Sequence, residues 1–189
     1  MKKVRHVGFV ALLLILLITN AHAFLGLYFG LQGGWAQEKA TFESIKFNTD
    51  TSFLYGVKAG IRSANVALEL DYHQVAHNLN PANPADTWAG RKVDYSYIGL
   101  NLRWLFSLLF LNPYLTGGYG YYTADIQSVD TQKKGGFNVG AGLELRLGRK
   151  FALVAEGKYH RASFDVQAGT VGTLTLNHWT LSGGFNLYF

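Results

Sequence analysis

The chain has 189 residues, of which 49% are apolar, 15% aromatic and 15% charged, with 22 Gly, 3 Pro and no Cys. This composition excludes a disordered or collagen-like chain. The lack of cysteine excludes disulfides, thiolate metal sites, a cysteine nucleophile and a lipid-bearing N-terminal cysteine. One domain is expected at this length, and the charged fraction is well below the ~25% typical of soluble domains. We therefore expect a medium other than water around much of the surface.

The net charge of +5 does not indicate a nucleic-acid partner. Lys2, Lys3 and Arg5 lie in an N-terminal segment that is predicted to be removed. The other 14 of the 17 basic residues are nearly balanced by 12 acidic residues and are spread along the chain. Nucleic-acid binding requires a clustered basic surface, so no such partner is expected.

The first 23 residues have the three parts of a secretory signal peptide. A basic start is followed by an apolar run over 7–18 and by the small-residue ending Ala21, His22, Ala23. This run is too short for a membrane-spanning helix, which needs about 20 apolar residues. We therefore predict a cleaved signal peptide over 1–23 and an exported domain over 24–189.

The rest of the chain alternates apolar and polar residues with a period of two, as β-strands with one apolar face do. The last segment is the clearest, because Trp179, Leu181 and Phe185 alternate with Thr180 and Ser182. Eight such segments occur, over 25–34, 53–62, 66–73, 97–104, 114–122, 137–147, 151–160 and 179–189.

The connections between these segments alternate in length. Long polar stretches at 38–51, 77–91, 125–135 and 164–173 alternate with short links at 63–65 and 148–150 and an apolar link at 106–112 that the pattern leaves unexplained. Long loops at one end and short turns at the other are typical of outer-membrane barrels. We therefore predict an all-β fold, an eight-stranded antiparallel up-and-down transmembrane β-barrel. The alternative is a soluble sandwich or lipocalin-like barrel with the apolar face inside.

Nine charged residues of nearly balanced sign share the polar face. They are Lys58, Arg62, Arg103, Arg146, Lys158, Glu69, Asp71, Glu144 and Glu156. An eight-stranded barrel has room inside only for side chains, so we predict a packed ion-pair network in the lumen. On the other face, aromatic residues near the strand ends are candidates for a membrane girdle. These are Trp35, Tyr72, Trp104, Phe106, Tyr121, Phe151, Tyr159 and Trp179.

The end of the chain resembles the C-terminal assembly signal of outer-membrane barrels. Ser182, Gly184, Leu187 and Phe189 occupy its polar, glycine, hydrophobic and terminal aromatic positions. The segment 112–122, with glycines between tyrosines, is similar to the fifth strand of the OmpA-like and OmpX-like superfamily of small barrels. The resemblance implies a multi-pass barrel in the bacterial outer membrane, periplasmic termini and recognition by the barrel assembly machinery.

This superfamily includes scaffolds, adhesins and lipid A-modifying enzymes, so the fold alone does not determine the function. The best candidates for a deacylase-like site are His160, Ser163 and Asp165, since a histidine-activated serine needs a carboxylate partner. His160 and Ser163 have opposite parity along a strand, whereas the deacylases carry histidine and serine two residues apart. We therefore predict no catalytic residues.

No metal site and no cofactor are predicted. His73 and His77 share the parity of Asp71, but four residues along a strand span about 13 Å, too far for one ion.

Three cations are predicted to face lipopolysaccharide. Arg161 lies on the apolar face near the loop end, and Arg91 and Lys92 begin the fourth strand at the same end. Cations at this level can bind the phosphates of lipopolysaccharide, and the alternative is that they are ordinary charges of exposed loops.

We expect a non-enzymatic protein that stabilises the outer membrane and presents loops to an extracellular partner. A lipid A deacylase-like enzyme and a narrow channel are the alternatives.

Overall fold

The computed structural model describes the backbone of residues 25–42, 45–46, 50–78, 92–126, 132–167 and 171–189. Side chains are described for 26–37, 51–75, 94–123, 133–162 and 177–189. The predicted signal peptide lies outside these residues, and its cleavage stays a prediction. In the described ranges, no helix is long and apolar enough to span a membrane.

Eight antiparallel strands form a closed barrel in up-and-down order. They are β1 (Leu25–Phe42), β2 (Asp50–Ser63), β3 (Val66–Asn78), β4 (Lys92–Leu105), β5 (Leu111–Ile126), β6 (Gln132–Leu147), β7 (Phe151–Gln167) and β8 (Val171–Tyr188). Each strand pairs with the next one, and β8 pairs with β1 to close the sheet. A further two-residue strand, Ile45–Lys46, pairs with the end of β1. The predicted fold is confirmed.

The apolar face of every strand points outward. Along β8, Trp179 and Leu181 are 58% and 61% exposed, whereas Thr180 and Ser182 are 6% and 8% exposed. Such a continuous exposed apolar band suits hydrocarbon and not water. The alternative of a soluble barrel with an apolar interior is therefore wrong. Aromatic pairs predicted for the girdle also meet on this surface, where the ring of Tyr159 lies 5.0 Å from that of Trp179.

The strands are longer than the sequence pattern predicts. They have 13 to 18 residues, whereas a tilted strand crosses the hydrocarbon with about 9–11. The extra length takes up part of each predicted long loop, since β1 continues to Phe42 and β7 to Gln167. Backbone hydrogen bonds between strands do not depend on apolar side chains, so the pairing continues past the point where the alternation ends.

The apolar link that the sequence left unexplained is a tight turn between β4 and β5. Leu108 and Leu111 exchange backbone hydrogen bonds of 3.1 and 2.9 Å. Leu109, at the tip, has a φ of 54° and is 94% exposed, and Phe110 beside it is 62% exposed. The short-turn end of the barrel therefore carries an exposed apolar tip.

The seam between β1 and β8 depends on glycines that face inward. A Cβ atom on Gly34 would lie 2.6 Å from the Cα atom of Ser182. A Cβ atom on Gly184 would overlap the carbonyl oxygen of Leu31 and lie 3.0 Å from the Cα atom of Gln32. The backbone nitrogen of Phe189 completes the seam by donating to the carbonyl of Leu27 at 2.9 Å. Closure thus gives Gly184, at the glycine position of the predicted assembly signal, a steric role.

We expect Gly184→Ala to lower the free energy of unfolding by about 1–3 kcal/mol, because the new methyl group overlaps the backbone of β1. Gly183→Ala is the matched control, since its Cβ meets nothing closer than the Val154 carbonyl oxygen at 3.9 Å. Urea unfolding in phospholipid vesicles, followed by tryptophan fluorescence, measures both. Equal stability of the two variants would contradict the steric role.

Candidate functional site in the barrel lumen

Eight charged side chains are buried in the lumen, each at most 7% exposed. Four are basic and four acidic: Lys58, Arg62, Arg103, Lys158, Glu69, Asp71, Glu144 and Glu156. The formal charges therefore cancel within this set. Isolated ions are costly to bury, so such a set is stable only when every charge has close partners of opposite sign.

Glu156 and Asp71 hold the two lysines. The Glu156 carboxylate lies 2.6 Å from the Lys58 ammonium and 2.9 Å from that of Lys158. Lys158 also donates to Asp71 at 2.9 Å. These pairs join β2, β3 and β7 across the barrel, so the network links strands that share no backbone hydrogen bonds.

Glu69 and Glu144 hold the two arginines. Arg103 lies 3.1 Å from Glu69 and 3.5 Å from Glu144, and Arg62 donates to Glu144. The Lys58 ammonium lies 3.6 Å from Glu69, which connects this group to the lysine pairs. The eight charges therefore form one continuous network.

Inward tyrosines complete the network by donating to the carboxylates. The hydroxyl groups make three such bonds, Tyr28 to Glu69 at 2.8 Å, Tyr114 to Glu156 at 2.9 Å and Tyr188 to Glu144 at 2.8 Å. The Arg103 guanidinium also lies over the Tyr114 ring, 3.9 Å from its centroid. Each bond gives a buried carboxylate oxygen a hydrogen-bond donor, which burial of a carboxylate requires.

Arg146, the ninth predicted member of the network, makes no salt bridge with these eight charges in the described part of the chain. Its guanidinium lies 4.5 Å from the centroid of the Tyr188 ring and donates to the Arg149 carbonyl at 3.3 Å. Arg146 sits near the 148–150 turn, at the mouth of the barrel, where its charge is half-exposed and needs no buried partner. The alternation along the strand places Arg146 on the inner face, but it does not show how far from the mouth of the barrel the side chain lies.

Nearer the loop end, the lumen contains histidine, tyrosine and asparagine side chains in place of charges. We call this region the chamber; its members are His73, His160, His178, Tyr97, Tyr122, Asn101 and Asn138. His73, His160 and His178 are each at most 2% exposed, and one ligand nitrogen of each lies within 4.8 Å of the others. The rings of His160 and His178 stack at 4.4 Å with an angle of 6°, and the His73 ring meets His160 edge-on at 5.5 Å.

Rings and polar groups of this chamber hold the histidines in place. Tyr97 packs against His73 at 4.9 Å between ring centroids and against Tyr122 at 4.8 Å. Asn138 donates to the Tyr97 hydroxyl at 2.7 Å and to Asn101 at 2.9 Å. These contacts fix the positions of the rings around the three histidines.

Asp71 joins the two halves of the lumen. One of its oxygens accepts from Lys158, and the other lies 3.4 Å from Nδ1 of His73 and accepts from Gln32 at 2.7 Å. The sequence analysis rejected a metal site of His73 with His77, and in the structure His73 meets histidines from β7 and β8 instead. His77 lies four residues further along β3, with its side chain outside the described residues.

Of the candidates for a deacylase-like site, His160 has a described side chain, whereas Ser163 and Asp165 do not. His160 faces the lumen, where its Nδ1 lies 3.0 Å from the Tyr122 hydroxyl and its Nε2 lies 3.3 Å from the Thr180 hydroxyl. The pairing of β7 with β8 continues without a bulge through Ser163 and Asp165. The side chains of those two residues lie outside the described residues.

The predicted lipopolysaccharide contacts are partly described. Arg161 is exposed on the outer face of β7. Arg91 and the side chain of Lys92 lie outside the described residues. Lys133, which the sequence analysis did not select, is also exposed, with its ammonium 6.0 Å from the centroid of the outward Tyr121 ring.

Sequence reasoning missed the inward tyrosines and the histidine cluster. Strand parity already placed Tyr28, Tyr114 and Tyr188 on the polar face, but only formal charges were considered for the network. For the cluster, parity placed His160 in the lumen and the β7–β8 pairing brings it opposite His178. The contact with His73 crosses the lumen and leaves no sequence signal.

Comparison with known proteins agrees with this architecture. Residues 9–189 match the sequence profile of the outer membrane protein beta-barrel domain. No curated protein is significantly similar to the chain in sequence.

Three solved structures illustrate the likeness. Neisserial surface protein A is 19% identical with a TM-score of 0.63, over 85% of this chain and 97% of that chain. OprG of Pseudomonas aeruginosa is 16% identical with a TM-score of 0.60, over 86% and 95%. Outer Membrane Protein W of E. coli is 15% identical with a TM-score of 0.54, over 85% and 97%. At these identities the likeness shows the fold alone.

We expect Glu156→Gln to lower the free energy of unfolding by about 3–5 kcal/mol, because two buried lysines lose a charged partner. Asp94→Asn removes the same charge from an exposed position and is expected to change stability by less than about 0.5 kcal/mol. Urea unfolding in vesicles measures both. A loss below 1 kcal/mol for Glu156→Gln would contradict a dry, tightly coupled network.

Proposed function

The chain belongs to the family of outer membrane protein β-barrels, and we propose that it is a non-enzymatic member that stabilises the outer membrane and presents its loops for interaction or adhesion. Its location in the bacterial outer membrane follows from the family. In barrels of this kind the short turns face the periplasm and the long loops face outward.

The buried ion-pair network in the lumen is the observation that supports this proposal. Eight buried charges and the tyrosines that bind them occupy the interior at the level of the membrane. An ion or small molecule could pass only by displacing groups that are paired at 2.6–3.6 Å. Such a barrel suits a rigid scaffold better than a channel.

The outer surface supports a role at the lipid boundary. Arg161 and Lys133 are cations on the outward face near the loop end, at the level expected for lipopolysaccharide phosphates. Arg91 and Lys92 are proposed to belong to the same group of cations. The partners in this proposal are outer-membrane lipid and lipopolysaccharide, the barrel assembly machinery during insertion, and an extracellular partner for the loops.

The contacts of His160 argue against the deacylase-like alternative. Inside the lumen, its Nδ1 lies within hydrogen-bond range of the Tyr122 hydroxyl and its Nε2 within range of the Thr180 hydroxyl. A general base must reach the hydroxyl of its serine, and a regular strand gives no bulge that would turn Ser163 toward it. We therefore propose that lipid A is a neighbour of this protein and not its substrate.

Reconstituted in planar bilayers, the mature chain is expected to give no discrete conductance steps, because the ion pairs block the lumen. A detergent gel serves as the control, because a folded barrel migrates differently before and after boiling, whereas an unfolded one does not. Reproducible conductance steps from a preparation that is folded by this criterion would support the channel alternative and contradict the proposal.

A strain without the protein is expected to be more sensitive to detergent, because the outer leaflet loses contacts with the barrel. Wild-type protein should restore resistance, and the Lys133→Gln, Arg161→Gln double variant should restore less of it at equal folded abundance. The mass of lipid A should stay the same when the protein is overproduced. Unchanged sensitivity of the deletion strain would count against the proposal, and a new lipid A mass lost in Ser163→Ala would favour the enzyme.

A further inference from the structure

We propose that His73, His160 and His178 form a binding site for one divalent transition-metal ion of the Zn²⁺ class inside the barrel. One ligand nitrogen of each lies within 4.8 Å of the other two. The three residues come from β3, β7 and β8, so the ion would join strands on different sides of the lumen. This site goes beyond the scaffold role proposed above and does not depend on it.

The donor set indicates the class of ion. Neutral imidazoles bind Zn²⁺, Co²⁺, Ni²⁺ and Cu²⁺ readily, whereas Mg²⁺ and Ca²⁺ prefer oxygen ligands. Three histidines with one further position for water are an established zinc ligand set in proteins. The three side chains are 0–2% exposed, so the site is shielded from bulk solvent.

The protonation of two of the rings follows from their partners. An ionised Asp71 can only accept, so Nδ1 of His73, 3.4 Å away, carries the proton and Nε2 has the lone pair. The Tyr122 hydroxyl donates to the Phe137 carbonyl at 3.3 Å, and its oxygen then accepts from Nδ1 of His160 at 3.0 Å. In both rings Nε2 is therefore the nitrogen that can bind a cation.

Each ring is also held through its other nitrogen, as metal-binding histidines commonly are. Asp71 holds His73, Tyr122 holds His160, and the Tyr95 hydroxyl lies 3.5 Å from Nδ1 of His178. Among the described residues, Nε2 of His73 has no hydrogen-bond partner although it is fully buried. A buried nitrogen without a partner is unfavourable, and a metal ion would satisfy it.

Binding requires only a local adjustment. Nitrogens that bind zinc at 2.0–2.1 Å in a tetrahedron lie about 3.3 Å apart, so the cluster must contract by up to about 1.5 Å. Rotation of the imidazoles supplies this, at the cost of the parallel stacking between His160 and His178 and of the contact between Nε2 of His160 and the Thr180 hydroxyl. His160 and His178 are direct neighbours across the β7–β8 pairing, so these two ligands already lie side by side.

The test uses the mature chain folded in detergent and freed of metal by chelator. Co²⁺, added during or after folding, should give the visible absorption of a four-coordinate cobalt site with a stoichiometry of one, and Zn²⁺ should abolish it by competition. Zn²⁺ should also raise the urea midpoint of unfolding, since a ligand that binds only the folded state stabilises it.

Variants separate this site from other metal binding. His160→Gln and His178→Gln should weaken binding at least tenfold and remove the zinc-dependent shift in the urea midpoint. His77→Gln is the matched control, because its position on β3 is four residues, about 13 Å, beyond His73, and it should bind like the wild type. The gel mobility of unheated samples verifies that each variant is folded.

Three outcomes would overturn the proposal. They are no cobalt signal from folded wild-type protein, equal binding by wild type and both cluster variants, and loss of binding in His77→Gln alone. The first would mean that the histidines serve only to pack the lumen. The other two would place the ion elsewhere on the chain.

Discussion

The balance of buried charge inside a narrow barrel is the constraint on which the rest of this structure depends. Eight strands leave room in the lumen only for side chains, so each inward lysine or arginine must find an inward carboxylate within reach. Four of each are present, and tyrosine hydroxyls donate to three of the carboxylates. The network connects strands that are not neighbours in the sheet and so makes the barrel wall one rigid unit.

Asp71 marks the boundary between two kinds of interior. On one side Lys158 and the rest of the ion pairs are satisfied by opposite charge. On the other side Asn138 donates to Tyr97 and the histidines pack ring against ring, while Nε2 of His73 has no hydrogen-bond partner among the described residues. The carboxylate serves both, since one oxygen accepts from Lys158 and the other faces His73. The histidines on this side of Asp71 form the metal site that we propose in addition to the scaffold role.

The outer surface and the seam obey separate constraints. Outward residues need only be apolar over the membrane and aromatic or basic near its edges, which permits many sequences. The seam between β1 and β8 is stricter, because a Cβ atom on Gly34 or Gly184 would collide with the backbone of the opposite strand. These glycines allow the last strand to approach the first, so that the eight long strands close into a barrel.

The sequence by itself determined the strands, the two faces and the sign of the charges inside, because a period-two pattern is a local property of the chain. The closed barrel and its outer-membrane location are confirmed. The site residues needed tertiary structure. Arg146 shares the parity of Glu144 yet lies at the mouth of the barrel, since parity does not give depth. His73 meets His160 and His178 because curvature and strand stagger bring β3 across the lumen to β7 and β8, and no spacing within one strand encodes that distance.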